Sequence, residues 1–502
     1  MSDLPKGWAS VALDEVFEPR STRVAPSDFP DLPYIGLEQV EAHTGKLLGT
    51  VPASSMSSSA AAFRTGDVLY GRMRPYLNKV LQPQFDGLSS AEFIVFPALR
   101  GIDNRFIRSR LSASDFVEFA CSQYEGDRPR VKFDQLGKFQ LSLPPAAEQT
   151  RIVEKLEELL SDLDAGVAEL KAAQKKLAQY RQSLLKAAVE GALTAEWRQQ
   201  NPPTETGAQL LQRILTERRA RWEAKQLAKF QEQGKTPPKD WQKKYPEPVQ
   251  PDTSDLPELP QGWVWASVDQ LCDSVRNGLS KTPNTEQRGF PIFKINAVRP
   301  MAVNFDAIKH IELSESEAAD YWVEAGDVLA TRYNGSIDLL GVFAMVQDVS
   351  QPTLHPDKLI RMKPVTGAGL GAWMEVCGNV GASRAHLVSR VKTTAGQTGI
   401  SGDDLKKTPI PLPPADEQAA AIELLNERLE GIRELSYPTE LALQQSTAQR
   451  QNILRAAFAG QLVPQDPTDE PASVLLERVR ADRATAGAVQ PKARSRQIKE
   501  HT

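Results

Sequence analysis

Leu143-Pro144-Pro145-Ala146-Ala147-Glu148-Gln149 returns 269 positions later as Leu412-Pro413-Pro414-Ala415-Asp416-Glu417-Gln418. At the same spacing, Arg181-Gln182-Ser183-Leu184-Leu185-Lys186-Ala187-Ala188 returns as Arg450-Gln451-Asn452-Ile453-Leu454-Arg455-Ala456-Ala457. Two blocks held at one offset mean that the stretch between them keeps a single register in both halves. A repeat of this length decides the architecture before any local reading does.

The prolines end a strand and forbid helix before them, so a helix starts at each Pro-Pro pair. Behind the first, Leu156, Leu163, Leu170, Leu177 and Leu184 occupy the d positions of a heptad, and Val153, Leu160 and Val167 the a positions. Polar Gln174 and Arg181 continue the a series, a placement that lowers stability but selects register and partner. From Glu148 to Glu190 such a helix is roughly 65 Å long. The second helix keeps Leu425, Leu429, Ile432 and Ile453 in the same frame, but Pro438 at its centre is expected to kink or interrupt it. Neither helix hides its apolar stripe alone. Antiparallel pairing into a coiled coil is expected, against the alternative that each folds back on its own domain.

Outward from the helices, Leu4-Pro5-Lys6-Gly7-Trp8 returns as Leu259-Pro260-Gln261-Gly262-Trp263, and Gly66-Asp67-Val68-Leu69 as Gly326-Asp327-Val328-Leu329. Between the Gly-Asp-Val-Leu and Pro-Pro blocks the halves differ in length and share little. The expected order is a globular domain over 1–145 and a long helix over 146–195, then a helical segment and Pro-rich linker over 196–258. A second globular domain over 259–414 and a second long helix over 415–463 follow, with a short amphipathic segment and disordered tail over 464–502. The fold class is α+β: two mixed α/β domains separated by a pair of long antiparallel helices, with a pseudo-two-fold internal repeat. Leu210-Leu211-Gln212-Arg213-Ile214 and Leu475-Leu476-Glu477-Arg478-Val479 are the short amphipathic segments, each expected to dock near the other half.

Composition narrows the function classes. The 502 residues are 40% hydrophobic and 25% charged, ordinary for globular protein. No secretory leader or membrane-length apolar run is visible, so a cytoplasmic location without membrane association is expected. Cys121, Cys272 and Cys377 lie too far apart for a metal knuckle or disulfide framework, the five histidines form no HExxH pair, and no metal is expected. A net charge of −4 argues against gripping DNA over the whole surface. Local basic patches or a partner must then supply any grip.

No catalytic motif holds up. There is no GxxxxGK[ST] loop. Asn201-Pro202-Pro203-Thr204 resembles the (N/D)PP(Y/F) motif of amino-methyltransferases, but Thr204 replaces the stacking aromatic residue and the motif follows a helix. Basic residues do cluster in the divergent segments. Arg72, Arg74, Tyr76 and Lys79 form one group, joined by Arg128, Arg130 and Lys132 beyond the Gly126 turn. Arg332, Tyr333 and Asn334, then Lys358, then Arg384, are the candidates in the second half. Arginine forks onto guanine or phosphate, asparagine reads adenine and tyrosine stacks or binds phosphate, so these types suit groove reading. Charged turns are also, more commonly, plain solvated faces.

Taken in order, these motifs resemble the specificity (S) subunits of type I restriction-modification systems, over essentially the whole chain. The likeness rests on the Leu-Pro-x-Gly-Trp and Gly-Asp-Val-Leu pairs and on Gly71-Arg72-Met73-Arg74-Pro75-Tyr76-Leu77-Asn78-Lys79-Val80. It rests also on Glu92-Phe93-Ile94-Val95, Arg128-Pro129-Arg130, Gly396-Gln397-Thr398-Gly399-Ile400-Ser401 and the two Pro-Pro-x-x-Glu-Gln blocks. The resemblance implies a non-catalytic subunit with two target-recognition domains, each reading half of a bipartite, asymmetric site in double-stranded DNA. The helices would set the gap and dock two modification (methyltransferase) subunits through Val153, Leu156, Leu160, Leu163, Val167, Leu170, Leu177, Leu184, Leu425, Leu429, Ile432 and Ile453. It further implies that no cofactor is bound by this chain: S-adenosylmethionine, ATP and magnesium would sit on the modification and restriction subunits. Pro438 departs from the family's continuous second helix. The competing classes are an enzyme in its own right, which would need a cofactor loop or carboxylate cluster, and a coiled-coil adaptor, which would leave the basic clusters idle.

Overall fold

A computed structural model of the chain describes residues 4–488 apart from 125–128, 285, 366, 367, 395 and 396. The chain gathers into two compact units, one of residues 1–172 with 439–502 and one of residues 173–438. The expected Gly126 turn, Arg128, Gly396 and the tail beyond 488 lie outside the described residues.

In the first unit, Gly7 at φ +88° allows the tight turn in which the Trp8 N–H returns to the Pro5 carbonyl at 3.1 Å. Strand Ala9–Ala12 leaves this turn and pairs antiparallel with Gln140–Leu143, so the opening and the Pro-Pro block lie on neighbouring strands. Two small sheets fill the domain. One has the order Val80–Leu81, Val68–Gly71, Phe93–Phe96; the other has five strands, of which only Pro33–Ile35 and Gly87–Ser90 run parallel. The core joins Phe17, Tyr70, Phe96, Phe106 and Phe116 to Ile152, Val153 and Leu156 from the start of the long helix Ala146–Val189. Leu454 and Ala457, from the end of the helix Ala415–Phe458, enter the same core, as do Leu475, Leu476 and Val479 of the C-terminal helix Ala472–Ala488.

The second unit repeats the plan. Gly262 has φ +88°, and strand Val264–Ser267 pairs with Pro409–Leu412. Its main sheet has the order Cys272–Asn277, Leu359–Pro364, Val328–Thr331, Phe343–Met345. Trp263, Phe343, Met362 and Trp373 pack with Leu184, Leu185 and Ala188 from the end of the first long helix. Ala421, Leu425, Leu429 and Ile432 join them from the start of the second.

Within the first unit the helices are antiparallel: Leu156 shares a core with Leu454, Asp164 pairs with Arg450, and Leu163, Val167 and Leu170 line a groove with Ala442, Ser446 and Gln449. Each helix start also packs on the domain it follows, so the pairing and fold-back expectations describe two parts of one arrangement. Heptad burial is uneven. Val153, Leu156, Leu184, Leu425, Leu429 and Ile432 are buried, whereas Leu160, Leu163, Val167, Leu170, Leu177 and Ile453 are only half-buried. The buried set has a globular domain as a further layer; two helices alone leave their flanks in water.

Three expectations are corrected. Pro438 does not interrupt the second helix, which runs as one element over Ala415–Phe458. Tyr437 and Pro438 face solvent, where a carbonyl deprived of its intrahelical donor costs least because it is open to water, and Ser436 Oγ donates to the Ile432 carbonyl at 2.8 Å. Leu210-Leu211-Gln212-Arg213-Ile214 is not a short segment but the first turns of a 26-residue helix, Gly207–Glu232, capped by Thr206. The Pro-rich stretch 231–260 is not a free linker either. Trp241 and Tyr245 are buried against that helix, and Trp222 stacks on Trp241 with ring centroids 5.8 Å apart.

Docking of the amphipathic segments follows a rule common to both units. The Ala472 N–H donates to the Gly7 carbonyl at 2.9 Å, and the Gly207 N–H to the Gly262 carbonyl at 2.7 Å. The segment after the first long helix thus packs on the second domain, and the C-terminal segment on the first.

Candidate nucleic-acid interface

The first basic cluster starts where strand Val68–Gly71 ends. That strand is anchored by fully buried Asp67, which accepts from the Arg64 and Ala98 N–H groups and takes Arg20 in a fork, Nε at 2.6 Å and Nη2 at 3.0 Å. Beyond it, the Arg72 N–H donates to the Glu92 carbonyl at 2.9 Å and the Arg72 carbonyl accepts from the Val131 N–H at 3.0 Å. Arg74, left-handed at φ +52°, donates its N–H to the Pro129 carbonyl at 2.8 Å. A bridge between Met73 and Arg130 completes the join. Two clusters more than fifty residues apart in the chain become one edge carrying Arg72, Arg74, Arg130 and Lys132.

Glu92 sits inside this edge. Its carboxylate pairs with Arg130 and lies 4.0 Å from Arg72 Nε. Burial pulls the Arg72 guanidinium below its ordinary value, Arg130 adds to the shift, Glu92 opposes it and Arg23 adds a little more. Arg74, Tyr76 and Lys132 are exposed. Lys79 is used otherwise: its Nζ donates to the Leu37 carbonyl at 2.7 Å, tying two loops of the domain.

The second domain reproduces the frame with other side chains. The Arg332 N–H donates to the Lys358 carbonyl at 2.8 Å, and the Arg332 carbonyl accepts from the Ile400 N–H at 2.9 Å. Tyr333 bridges to Gly399, and the Asn334 N–H reaches the Thr398 carbonyl at 3.3 Å. Arg332 follows Arg72 at the same spacing as the Gly-Asp-Val-Leu repeat, and Ile400 follows Val131 at the spacing of the Pro-Pro repeat. Position 92 of the first domain is therefore position 358 of the second, a glutamate in one and a lysine in the other. Here the Arg332 guanidinium and the Lys358 ammonium lie 4.8 and 4.9 Å from the centroid of the Tyr333 ring. Gly399 permits the approach, since a Cβ there would stand 2.4 Å from Tyr333 Cδ1.

Arg384 is not part of this edge. Its guanidinium donates to the carbonyls of Leu340 and Asp338, closing the turn that follows the edge residues, and burial lowers its pKa. Asn334 spends its Oδ1 on the Ser336 N–H at 3.0 Å. The sequence reading passed over Glu92 and Arg23. Glu92 was visible as the acid opening Glu92-Phe93-Ile94-Val95, but only pairing shows it between two arginines.

Among the described residues no group of three or more His, Cys, Asp and Glu is placed to hold a metal. Cys121, Cys272 and Cys377 are free thiols, and no described helix is long and apolar enough to cross a membrane.

No protein-family model matches the chain. It is 29% identical over 413 residues to the specificity subunit of the type I restriction enzyme EcoKI of Escherichia coli (strain K12), spanning 80% of this chain and 75% of that one. It is 24% identical over 355 residues to the StySPI specificity subunit of Salmonella potsdam, spanning 69% and 64%. A solved structure, described as the structural basis of complex assembly and conformational transition of the type I R-M system, shares the fold. Its TM-score is 0.63 at 20% identity, covering 92% of this chain and all of that one. The repeated motifs, the doubled fold and these relatives agree: the chain is a homologue of the type I restriction-modification specificity subunits.

Proposed function

We propose that the two domains read the two halves of a bipartite, asymmetric site in double-stranded DNA, the first through the edge at Arg72 and Arg74, the second through the edge at Arg332 and Tyr333. The long helices set the gap and dock two modification subunits, which with the restriction subunits hold S-adenosylmethionine, ATP and magnesium. One observation carries this reading. Arg72 and Arg332 hang from the same backbone frame, yet Glu92 and Arg130 surround one while Lys358 and Tyr333 surround the other. A shared scaffold with different side chains is what reading two different sequences requires.

The test is to sequence methylated adenines in DNA from cells expressing this chain with its modification subunit. Two defined half-sites at a constant gap are expected. Arg74→Ala should then relax one position of one half, by about 1–3 kcal/mol for a base contact, or weaken all sequences evenly for a phosphate contact. Absence of DNA binding at low salt with the partner present, or an Arg74→Ala protein indistinguishable from the parent, would remove the interface from the first edge.

A further inference from the structure

Residues 213–244 hold ten Lys and Arg against four Asp and Glu, in a chain whose net charge is −4. They form the outer part of the helix Gly207–Glu232 and the loop folded back on it. The fold-back is packed through aromatic rings. Trp222 stacks on Trp241 and meets the Tyr245 ring edge-on at 5.5 Å, Phe230 closes on Trp241, and Arg218 donates to the Tyr245 hydroxyl at 2.5 Å. Other cations are paired within the fold: Arg218 also donates to the Cys272 carbonyl at 2.9 Å, Arg213 pairs with Glu205 and Glu217, Arg219 with Glu223, Arg221 with Asp273 and Lys243 with Asp240. Lys225, Lys229, Lys239 and Lys244 are exposed.

The direction of the helix matters more than its charge. Arg218 bonds to Cys272 and Arg221 pairs with Asp273, at the start of the edge strand Cys272–Asn277. Arg276, near the end of that strand, pairs with Asp320 at 3.0 Å and holds its carboxyl below the usual range, with Lys225 adding to the effect. The helix therefore advances along the strand. Eleven residues from Arg218 to Lys229 rise about 16 Å, and the five steps from Cys272 to Asn277 cover about the same length. A helix that keeps this direction carries Lys229 toward the Asn277 end of the strand, where Asn277 pairs with Ile360, two residues beyond Lys358 of the reading edge. In the first unit the corresponding helix turns its arginines inward, Arg480 onto Glu15 and Arg483 onto the Asp14 and Glu15 carbonyls.

We propose that Lys225, Lys229, Lys239 and Lys244 bind the phosphate backbone of duplex DNA that flanks the half-site read by the second domain. The inference rests on the function proposed above and adds to it a sequence-independent contact on one side only. The aromatic fold-back holds the loop that carries Lys239 and Lys244 against the helix that carries Lys225 and Lys229, and the charge matches phosphate.

The test uses the full chain assembled with its modification subunit, binding duplexes that either extend past the second half-site or stop at its edge. Lys225→Glu with Lys229→Glu forms one variant, Lys239→Glu with Lys244→Glu another, so that a folding defect in one leaves the other to decide. Each lost phosphate contact should lower the slope of log affinity against log salt by about 0.9, so a double variant loses roughly tenfold of the affinity change between 50 and 200 mM salt. The loss should be equal for cognate and non-cognate DNA, absent on the duplex trimmed at the second half-site, and retained in full when the flank of the first half-site is trimmed instead. Parent-like affinity and slope for both variants on the long duplex overturn the inference and leave the proposed function standing, as does a loss confined to particular bases. Failure of the parent assembly to bind any duplex at low salt sinks the proposed function itself.

Discussion

The indole Nε1 of Trp263 donates to Oε2 of Glu417 at 2.9 Å, in a site where both side chains are buried. The other carboxylate oxygen accepts from Thr194 Oγ1 at 2.7 Å and Arg198 Nε at 2.9 Å. One buried anion thus ties the opening turn of the second domain, the first turn of the helix that leaves it, and the segment that follows the other long helix. In the first unit Glu148 sits beside Trp8, with Gln465 at 3.5 Å and Arg151 near but paired to Asp469. Burial raises its pKa, with Trp8, Gln465 and Arg151 opposing. The motifs that repeat most faithfully are therefore fasteners, and their repetition reflects a shared way of joining helix to domain.

Substitution at this site should destabilise the second unit. Trp263→Phe keeps the ring and removes one donor from a buried carboxylate, at a cost of about 1–3 kcal/mol. Glu417→Ala leaves Arg198 without its partner and should cost about 3 kcal/mol or more. Urea unfolding followed by tryptophan fluorescence checks both. A midpoint unchanged for Glu417→Ala would show that the anion is not a fastener.

Glu375 supplies a pH dependence. Its side chain is buried beside strand Phe343–Met345 with one donor, the Met345 N–H at 2.7 Å, and burial raises its pKa to about 7. A carboxyl raised on folding favours the folded state while protonated. Its contribution is full below the unfolded value and is lost as pH rises through about 7. Glu375→Gln should therefore stabilise the second unit at pH 8, by an amount on the order of 3 kcal/mol, and should make no difference near pH 4. Unfolding free energies of parent and variant across that range decide it; parallel curves would mean that Glu375 does not titrate on folding.

The gap between half-sites should follow the helix. Four residues inserted between Leu170 and Leu177 add about 6 Å of helix, close to two base-pair steps of about 3.4 Å. Methylation mapping should then report a wider gap between unchanged half-sites. An unaltered gap would assign the spacing to another element.

Much of this was legible in the chain because it depends on local periodicity. Leu156 through Leu184 at seven-residue steps dictate a long helix whatever lies around it, and the doubled Pro-Pro-x-x-Glu-Gln and Leu-Pro-x-Gly-Trp blocks dictate two copies of one plan. Pro438 misled for the same reason. Proline removes a helical donor locally, but the helix is held by Leu425, Leu429 and Ile432 on one side and Leu454 and Ala457 on the other. The Pro-rich stretch misled because Trp241 and Tyr245 have no local signal of what they pack on.

The sequence by itself determined the doubled architecture, the helical register and the residue types available for binding DNA, since each depends on spacing along the chain. Only the tertiary structure decided which of those residues act together. Backbone hydrogen bonds between distant strands bring Arg72 beside Arg130 and Arg332 beside Ile400, place Glu92 and Lys358 in the same position of the two domains, and withdraw Lys79 and Arg384 into the fold. A hydrogen-bond partner far along the chain leaves no mark in local periodicity, and that is why the edge had to be seen folded.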